Sequence, residues 1–369
     1  MTVYEDLALT PVINASATLT RLGGSRIPPS VIEAMSTAAG SFTDLDEMQR
    51  KAGERIAAIT YNEAAYISSG AAAGITVSVA ACIAGTDQER VASFPFLDEF
   101  DRNEVIVYRS QRNGYDYAAC QTGARLVDVG PSEADLSRAI SERTACILWF
   151  AGTHYAEGAL PLDEVVDIAR ARGVPVIVDA AAQVPPVSSL WRFTRDLGAD
   201  IAIFSGGKGL RGPQSSGLVL GKRDLIEACR VNGNPNHSIG RPMKVGKEEL
   251  AGILAAVEWS LAQDETTILS GYEETVQFWI DGLANIPGVV AERGYPSEAG
   301  QPHGRAIVCL APPCRLTRDE IVTALWEGSP RIAVGILKDD ENAIALNPQT
   351  LEPGEAEIVL ATLRKVLHG

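Results

Sequence analysis

Two neighbouring stretches, VPVIVDAAAQVPP (residues 174–186) and DIAIFSGGKGLRGPQSSGLVLG (200–221), decide the fold. Each opens with an apolar run that does not alternate with polar residues, the pattern of a strand buried on both faces. Each run then gives way to small residues: Ala180, Ala181 and Ala182 follow Asp179, and Gly206 and Gly207 follow Ser205. SGLVLG (216–221) comes only ten residues (206–215) after DIAIFS. That gap is too short for a crossover helix, so a hairpin and one antiparallel strand are expected.

Working outward, the same unit recurs. AAYIS (64–68), EVIVY (104–108), ARLVDV (124–129) and TACILWF (144–150) are apolar runs, each leading into segments of helical period at 71–84, 115–121, 133–140 and 162–171. Strands alternating with helices predict a mostly parallel, doubly wound α/β sheet. Pro28-Pro29 ahead of VIEAMSTAAG marks a helix start, and Asp44 opens another helical segment. Beyond Gly246 the texture changes: long helical segments at 247–264 and 270–286 precede RAIVCL, LTRDEIVTALWEG, RIAVGI, AIALN and a last helix, GEAEIVLATLRKVLH. The expected organisation is therefore an N-terminal segment (1–60) packing on the small domain and the active site, a large α/β domain (61–245) and a small C-terminal α+β domain (246–369).

Composition narrows the function classes. The 369 residues are 46% hydrophobic and 21% charged, the balance of a globular chain of two or three folding units. With 47 acidic against 32 basic side chains the formal charge is −15, which argues against a nucleic-acid partner, since phosphate contacts need clustered Lys and Arg. The six cysteines form no CxxC pair and sit mostly in apolar runs, so buried reduced thiols are expected rather than a disulfide framework. None of the four histidines stands at i, i+4 to another, so no His-built metal site is expected. The opening MTVYEDLALT has no basic segment of a secretory signal, and the longest apolar stretch, 71–84, is too short for a membrane span. A cytoplasmic protein without membrane contact is the expectation.

The residues able to carry chemistry lie at the ends of the apolar runs. Lys208, flanked by glycines, sits just past a buried strand, where ligands of doubly wound sheets bind. A lysine there can lose its proton in a low-dielectric site and attack a carbonyl; the alternative is a surface lysine in a flexible loop. Asp179 ends the preceding buried strand, and a carboxylate there is costly unless a cation pairs with it. The ring nitrogen of pyridoxal phosphate (PLP) needs such a partner, and the small residues after Asp179 leave room for a flat ring. A helix N-cap is the competing role. Ser69-Gly70-Ala71 forms a strand-to-helix turn suited to a phosphate, which Ser205 would also reach.

In that chain order, the phosphate turn, acid and lysine resemble fold-type I PLP-dependent enzymes. The wording is closer still to their selenocysteine-synthase-like (L-seryl-tRNA(Sec) selenium transferase-like) family. The resemblance rests on Val12-Ile13-Asn14-Ala15, Thr18–Gly24, Ser69-Gly70-Ala71-Ala72, Val178-Asp179-Ala180-Ala181, Ser205-Gly206-Gly207-Lys208, Gly212-Pro213-Gln214, Pro330-Arg331-Ile332, Leu346-Asn347-Pro348 and Pro353-Gly354-Glu355. Within the family the sequence is more similar to the D-glucosaminate-6-phosphate ammonia-lyase branch than to the tRNA-dependent synthases, whose N-terminal tRNA-binding extension it is expected to lack.

The resemblance implies a seven-stranded, mostly parallel sheet with one antiparallel strand, and at least a homodimer. It assigns Lys208 to the covalent tether and proton transfer, Asp179 to the pyridine nitrogen, and Ser69, Gly70, Ala71 and Ser205 to the phosphate, with Ala181 beside the ring. Arg331, opening a C-terminal strand, is the expected binder of a substrate carboxylate, with Arg21 a further candidate. The loop Gln111-Arg112-Asn113-Gly114-Tyr115 lacks the histidine that stacks on the ring in cysteine-desulfurase relatives, which leaves Tyr115 or Arg112 for that place. His154 is a further candidate. The implied activity is α,β-elimination with ammonia release from an anionic amino-acid or amino-sugar-acid substrate. A transaminase or racemase, a tRNA-linked transferase and a non-catalytic subunit are the alternatives.

Overall fold

A computed structural model describes residues 2–368. Its strands, in chain order, are β1 (Val12–Ala15), β2 (Ala64–Ser68), β3 (Glu104–Tyr108), β4 (Arg125–Val129), β5 (Thr144–Phe150), β6 (Val176–Asp179), β7 (Ile201–Ser205), β8 (Gly217–Gly221), β9 (Val289–Gly294), β10 (Arg305–Leu310), β11 (Arg331–Ile336) and β12 (Ala343–Leu346). They form a seven-stranded sheet of order β2-β8-β7-β6-β5-β3-β4 and a five-stranded sheet of order β1-β11-β12-β10-β9. In the larger sheet β8 is the one antiparallel strand, lying between β7 and β2, and every other neighbouring pair is parallel. The short 206–215 connection does make the expected hairpin.

The apolar runs of the larger sheet do not alternate because both faces are covered. Ile106, Tyr108, Ile147 and Val178 enter one core, with Ile56, Val165 and Ile253 from helices Leu45–Ile59, Leu162–Arg170 and Lys247–Leu261. Their strand neighbours Val105, Val107, Leu148 and Ile177 enter the other, with Ile75, Val79 and Ile226 from helices Ala71–Ala84 and Arg223–Asn232. Helix Ala71–Ala84 is buried from Gly74 to Ala81, as a helix of small apolar residues must be.

The chain divides into two compact units: residues up to Arg26 together with those from Asp264 onward, and Ile27–Gln263. The divisions fall at 26 and 263, not at 60 and 245 as expected. Helices Pro29–Ala39 and Leu45–Ile59 pack on helix Lys247–Leu261, and Val31, Ile56, Leu250 and Val257 share one core. Amphipathic spacing shows that a helix has an apolar face but not which core receives it. Residues 12–15 join the C-terminal unit because β1 pairs in parallel with β11, Val12 opposite Arg331. That unit has its own core around Trp279, Ile321, Val334 and Leu363. Among the described residues no helix is long and apolar enough to cross a membrane.

β2 is an edge strand, and an uncovered edge is a pairing hazard. Gln49 of helix Leu45–Ile59 covers it: Nε2 donates to the Ile67 carbonyl at 2.7 Å and Oε1 accepts from the Ile67 N–H at 3.1 Å. The side-chain amide thus takes the place of a neighbouring strand, within a site that is 4% exposed. Replacing Gln49 with Ala leaves both Ile67 groups buried and unpaired. The expected cost is about 2–4 kcal/mol, measured as a lower urea midpoint for the unit containing the larger sheet.

Candidate active site

The strand registers line up the small and polar residues read from the sequence. Ser68 and Ser205 flank Gly217 across β2, β8 and β7. Asp179 lies opposite Ile203 on one side and Phe150 on the other. The pairing runs one step further, with the Ser205 N–H donating to the Ala181 carbonyl at 3.3 Å. These positions lie at the C-terminal ends of β2, β5, β6 and β7, the ligand side of a doubly wound sheet.

At one end of this row helix Ala71–Ala84 begins without a side-chain cap. Its N-cap is Gly70, whose φ of 141° few other residues adopt. The helix therefore presents bare N–H groups, with its positive dipole end, to whatever lies beyond. Gly217 keeps that end open, since a Cβ there would stand 2.9 Å from the Ala71 nitrogen and 2.6 Å from the Gly70 carbonyl carbon.

Asp179 is 7% exposed. No helix starts after it, so the N-cap role is excluded; its Oδ1 instead accepts from the Ala181 N–H at 2.9 Å. Burial pushes the carboxyl above its ordinary value, while the Ala181 N–H and the charge of Lys208 pull it back. Acid and lysine thus interact from adjacent strand ends. The loop carrying Lys208 is closed on itself rather than loose: Gly206 N donates to Ser216 O at 2.9 Å, Gly212 N to Gly206 O at 2.8 Å, and Arg211 N to Lys208 O at 2.9 Å. It also presses on the segment after Asp179, where a Cβ at Gly209 would come within 1.9 Å of the Val184 carbonyl oxygen.

The L-seryl-tRNA selenium transferase family model matches residues 116–269. D-glucosaminate-6-phosphate ammonia lyase of Salmonella typhimurium is 33% identical, over 99% of this chain and 97% of its own. A 5'-C-glycyluridine monooxygenase-decarboxylase of a Streptomyces species is 34% identical, over 99% of this chain and 92% of its own. A solved structure of D-glucosaminate-6-phosphate ammonia-lyase superposes with a TM-score of 0.86 at 31% identity, covering 100% of this chain and 98% of that one.

The chain belongs to the selenium transferase-like family of fold-type I, PLP-dependent enzymes. Of the residues singled out in the sequence, this family fold brings Ser69, Gly70, Ala71, Asp179, Ala181, Ser205 and Lys208 to one end of a single sheet. Arg21 and Arg331 belong to the other compact unit. There Arg331 donates from Nε to the Trp326 carbonyl at 2.9 Å and lies over the Trp326 ring at 5.0 Å. Arg21 is exposed on the short turn Thr20–Leu22. Of the two residues expected to stack, Arg112 is committed elsewhere, donating to Asp116 Oδ2 at 2.5 Å and to Asp128. Tyr115 is 51% exposed.

Two residues in the loops beyond the strand ends were given no role in the sequence reading. Gln111 is fully buried and pairs with the Phe150 backbone, and Tyr155 packs its ring on that of Phe150 at 5.5 Å. A side chain that pairs with backbone leaves no spacing signal; the only hint was their place in loops that follow β3 and β5.

Because burial raises the Asp179 pKa in the folded chain, the stability linked to this group is complete below its unfolded value and falls as pH rises through the folded one. In ligand-free protein at pH 7, Asp179→Asn removes a desolvated charge and should raise the melting temperature, by about 2–4 °C. The gap to wild type should close at about pH 4. Thermal scans at both pH values check this.

Proposed function

We propose that the chain is a PLP-dependent lyase that releases ammonia from an anionic amino-acid or amino-sugar-acid substrate by α,β-elimination. The observation that carries this reading is the buried Asp179 carboxylate with the Lys208 charge bearing on it from the next strand end. The open helix end fits the cofactor's phosphate, because a side chain at Gly217 would fill the space in front of the Ala71 nitrogen. Identity over nearly the full length to an ammonia lyase supports the choice of reaction.

In this reading Ser69, Gly70, Ala71 and Ser205 hold the phosphate, and the helix dipole offsets its charge. Asp179 would keep the ring nitrogen protonated, its burial favouring a cation beside it. Ala181 would stand beside the ring, where a methyl leaves space for a flat group. Lys208 would hold the cofactor covalently, and its amine, when free, would take the proton from the substrate α-carbon. PLP, when bound, supplies an electron sink for the pair left on that carbon. The β-substituent would leave with a proton, and hydrolysis of the released enamine by water would give a keto acid and ammonia. Arg331 and Arg21 are the proposed anion binders; Arg331 has spent Nε on Trp326, so its two terminal nitrogens would face a carboxylate. A homodimer or larger homo-oligomer in the cytoplasm, acting on a small molecule without nucleic-acid or membrane partners, completes the proposal. The net charge of −15 fits it.

The similarity to a monooxygenase-decarboxylase favours a second reading, in which the α-carbon loses carbon dioxide with consumption of oxygen. Phosphorylated sugar amino acids and hydroxy-amino acids, incubated with and without air, separate the two. Ammonia and keto acid formed equally under both conditions support the lyase, whereas oxygen uptake with carbon dioxide release overturns it. Purified protein should show a visible band that borohydride fixes onto Lys208, and Lys208→Ala should lose both band and label. A label on another lysine, or turnover retained in Lys208→Ala, defeats the assignment.

A further inference from the structure

β3 ends at Tyr108, paired alongside β5 only as far as Val107 opposite Leu148. The next outward-facing backbone groups of β5, those of Phe150, have no strand to meet. Gln111 supplies it: Oε1 accepts from the Phe150 N–H at 3.0 Å and Nε2 donates to the Phe150 carbonyl at 3.2 Å. The same Nε2 donates to the Tyr155 carbonyl at 3.3 Å. One buried amide therefore ties the loop after β3 to the loop after β5.

That tie fixes Tyr155. Its N–H donates to Gly152 O at 3.0 Å, and its ring centroid lies 5.5 Å from that of Phe150 and 3.9 Å from that of His154. The loop starts beside the acid, since the Ala151 N–H donates to the Asp179 carbonyl at 2.9 Å. The phenol lies in the field of Asp179, Tyr115 and Asp116, which together with burial as the main cause pushes its ionisation up. Asp116 is nine-tenths buried, and while its Oδ2 takes the Arg112 guanidinium, its Oδ1 has no partner. The phenol thus stays protonated and able to donate.

We infer that Tyr155 is a site residue whose hydroxyl donates a hydrogen bond to the molecule bound beside Asp179, and that Gln111 is the positioning residue that aims it. The inference deepens the proposed function and rests on PLP occupying that place. Gln111 acts through Tyr155 without touching the ligand.

The test uses the whole protein with carbon-13 at the tyrosine phenol carbon, the Tyr155 signal being assigned by its loss in Tyr155→Phe. In Asp179→Asn, without cofactor, that signal should titrate at lower pH than in wild type, because one of the negative groups facing it is gone. Adding PLP to wild type should shift the same signal. Tyr155→Phe should weaken PLP affinity about tenfold and move the visible band, with borohydride labelling of Lys208 kept. Gln111→Ala should reproduce the band shift, and Gln111→Glu, which loses both donated bonds, should do so too. A Tyr155 signal indifferent to both Asp179→Asn and PLP, or a Tyr155→Phe protein with unchanged band and affinity, overturns the inference while the Lys208 label leaves the cofactor reading standing. A wild type with neither band nor label removes both.

Discussion

The carboxylate of Asp179 sits where an anion is expensive: at the end of a strand whose side chains fill two cores, 7% exposed, with one backbone N–H as its own hydrogen-bond donor. A buried charge of that kind persists only if a cation answers it. Lys208 answers in part, from the loop after the neighbouring strand, and a protonated heterocycle would answer more fully. The layout of the larger sheet follows from this need. β6 and β7 must be parallel neighbours so that both chains leave the sheet at the same end, and the loop after β7 must return at once through β8 so that Lys208 stays pressed against the segment after Asp179.

The same economy appears at two places in the sheet, the outer edge of β2 and the end of β3, where a backbone ladder lacks its next strand. A glutamine fills each gap: Gln49 against Ile67 of the edge strand, and Gln111 against Phe150 where β3 has ended. A primary amide carries the same donor and acceptor pair as a peptide unit, so it completes a ladder without another strand. The two differ in consequence. Gln49 closes an edge against unwanted pairing, whereas Gln111 also holds the Tyr155 carbonyl and so links sheet completion to the geometry of the site.

Much of this was legible in the sequence, and for a physical reason. Strands covered on both faces appear as unbroken apolar runs, so β2, β3 and β5 begin and end where their runs do. The short connection before β8 fixed its direction, and the acid and lysine stood out because polar residues at the ends of such runs demand an explanation. Helix Arg223–Asn232 and β9 were not read, the first being strongly polar between its apolar positions and the second having just one buried residue. Nor were the limits of the two units, because Leu250, Ile253 and Val257 would make the same pattern whichever core they entered. Gln111 and Tyr155 were invisible for a different reason: their partners are backbone atoms and rings brought together only by the fold.

Net charge adds a last constraint. A chain at −15 repels an anionic substrate at a distance, so attraction cannot come from the global field. At physiological salt that field is screened beyond about 8 Å, which leaves binding to whatever positive potential lies within the site. The helix end at Gly70 and the Lys208 amine supply that potential at short range, where geometry as well as sign decides what is held. An acidic envelope around such a site also disfavours long polyanions, whose remaining charges would have to lie along the acidic surface. A small molecule with its charge confined to one or two groups avoids that repulsion, in keeping with the proposed amino-acid or amino-sugar-acid substrate.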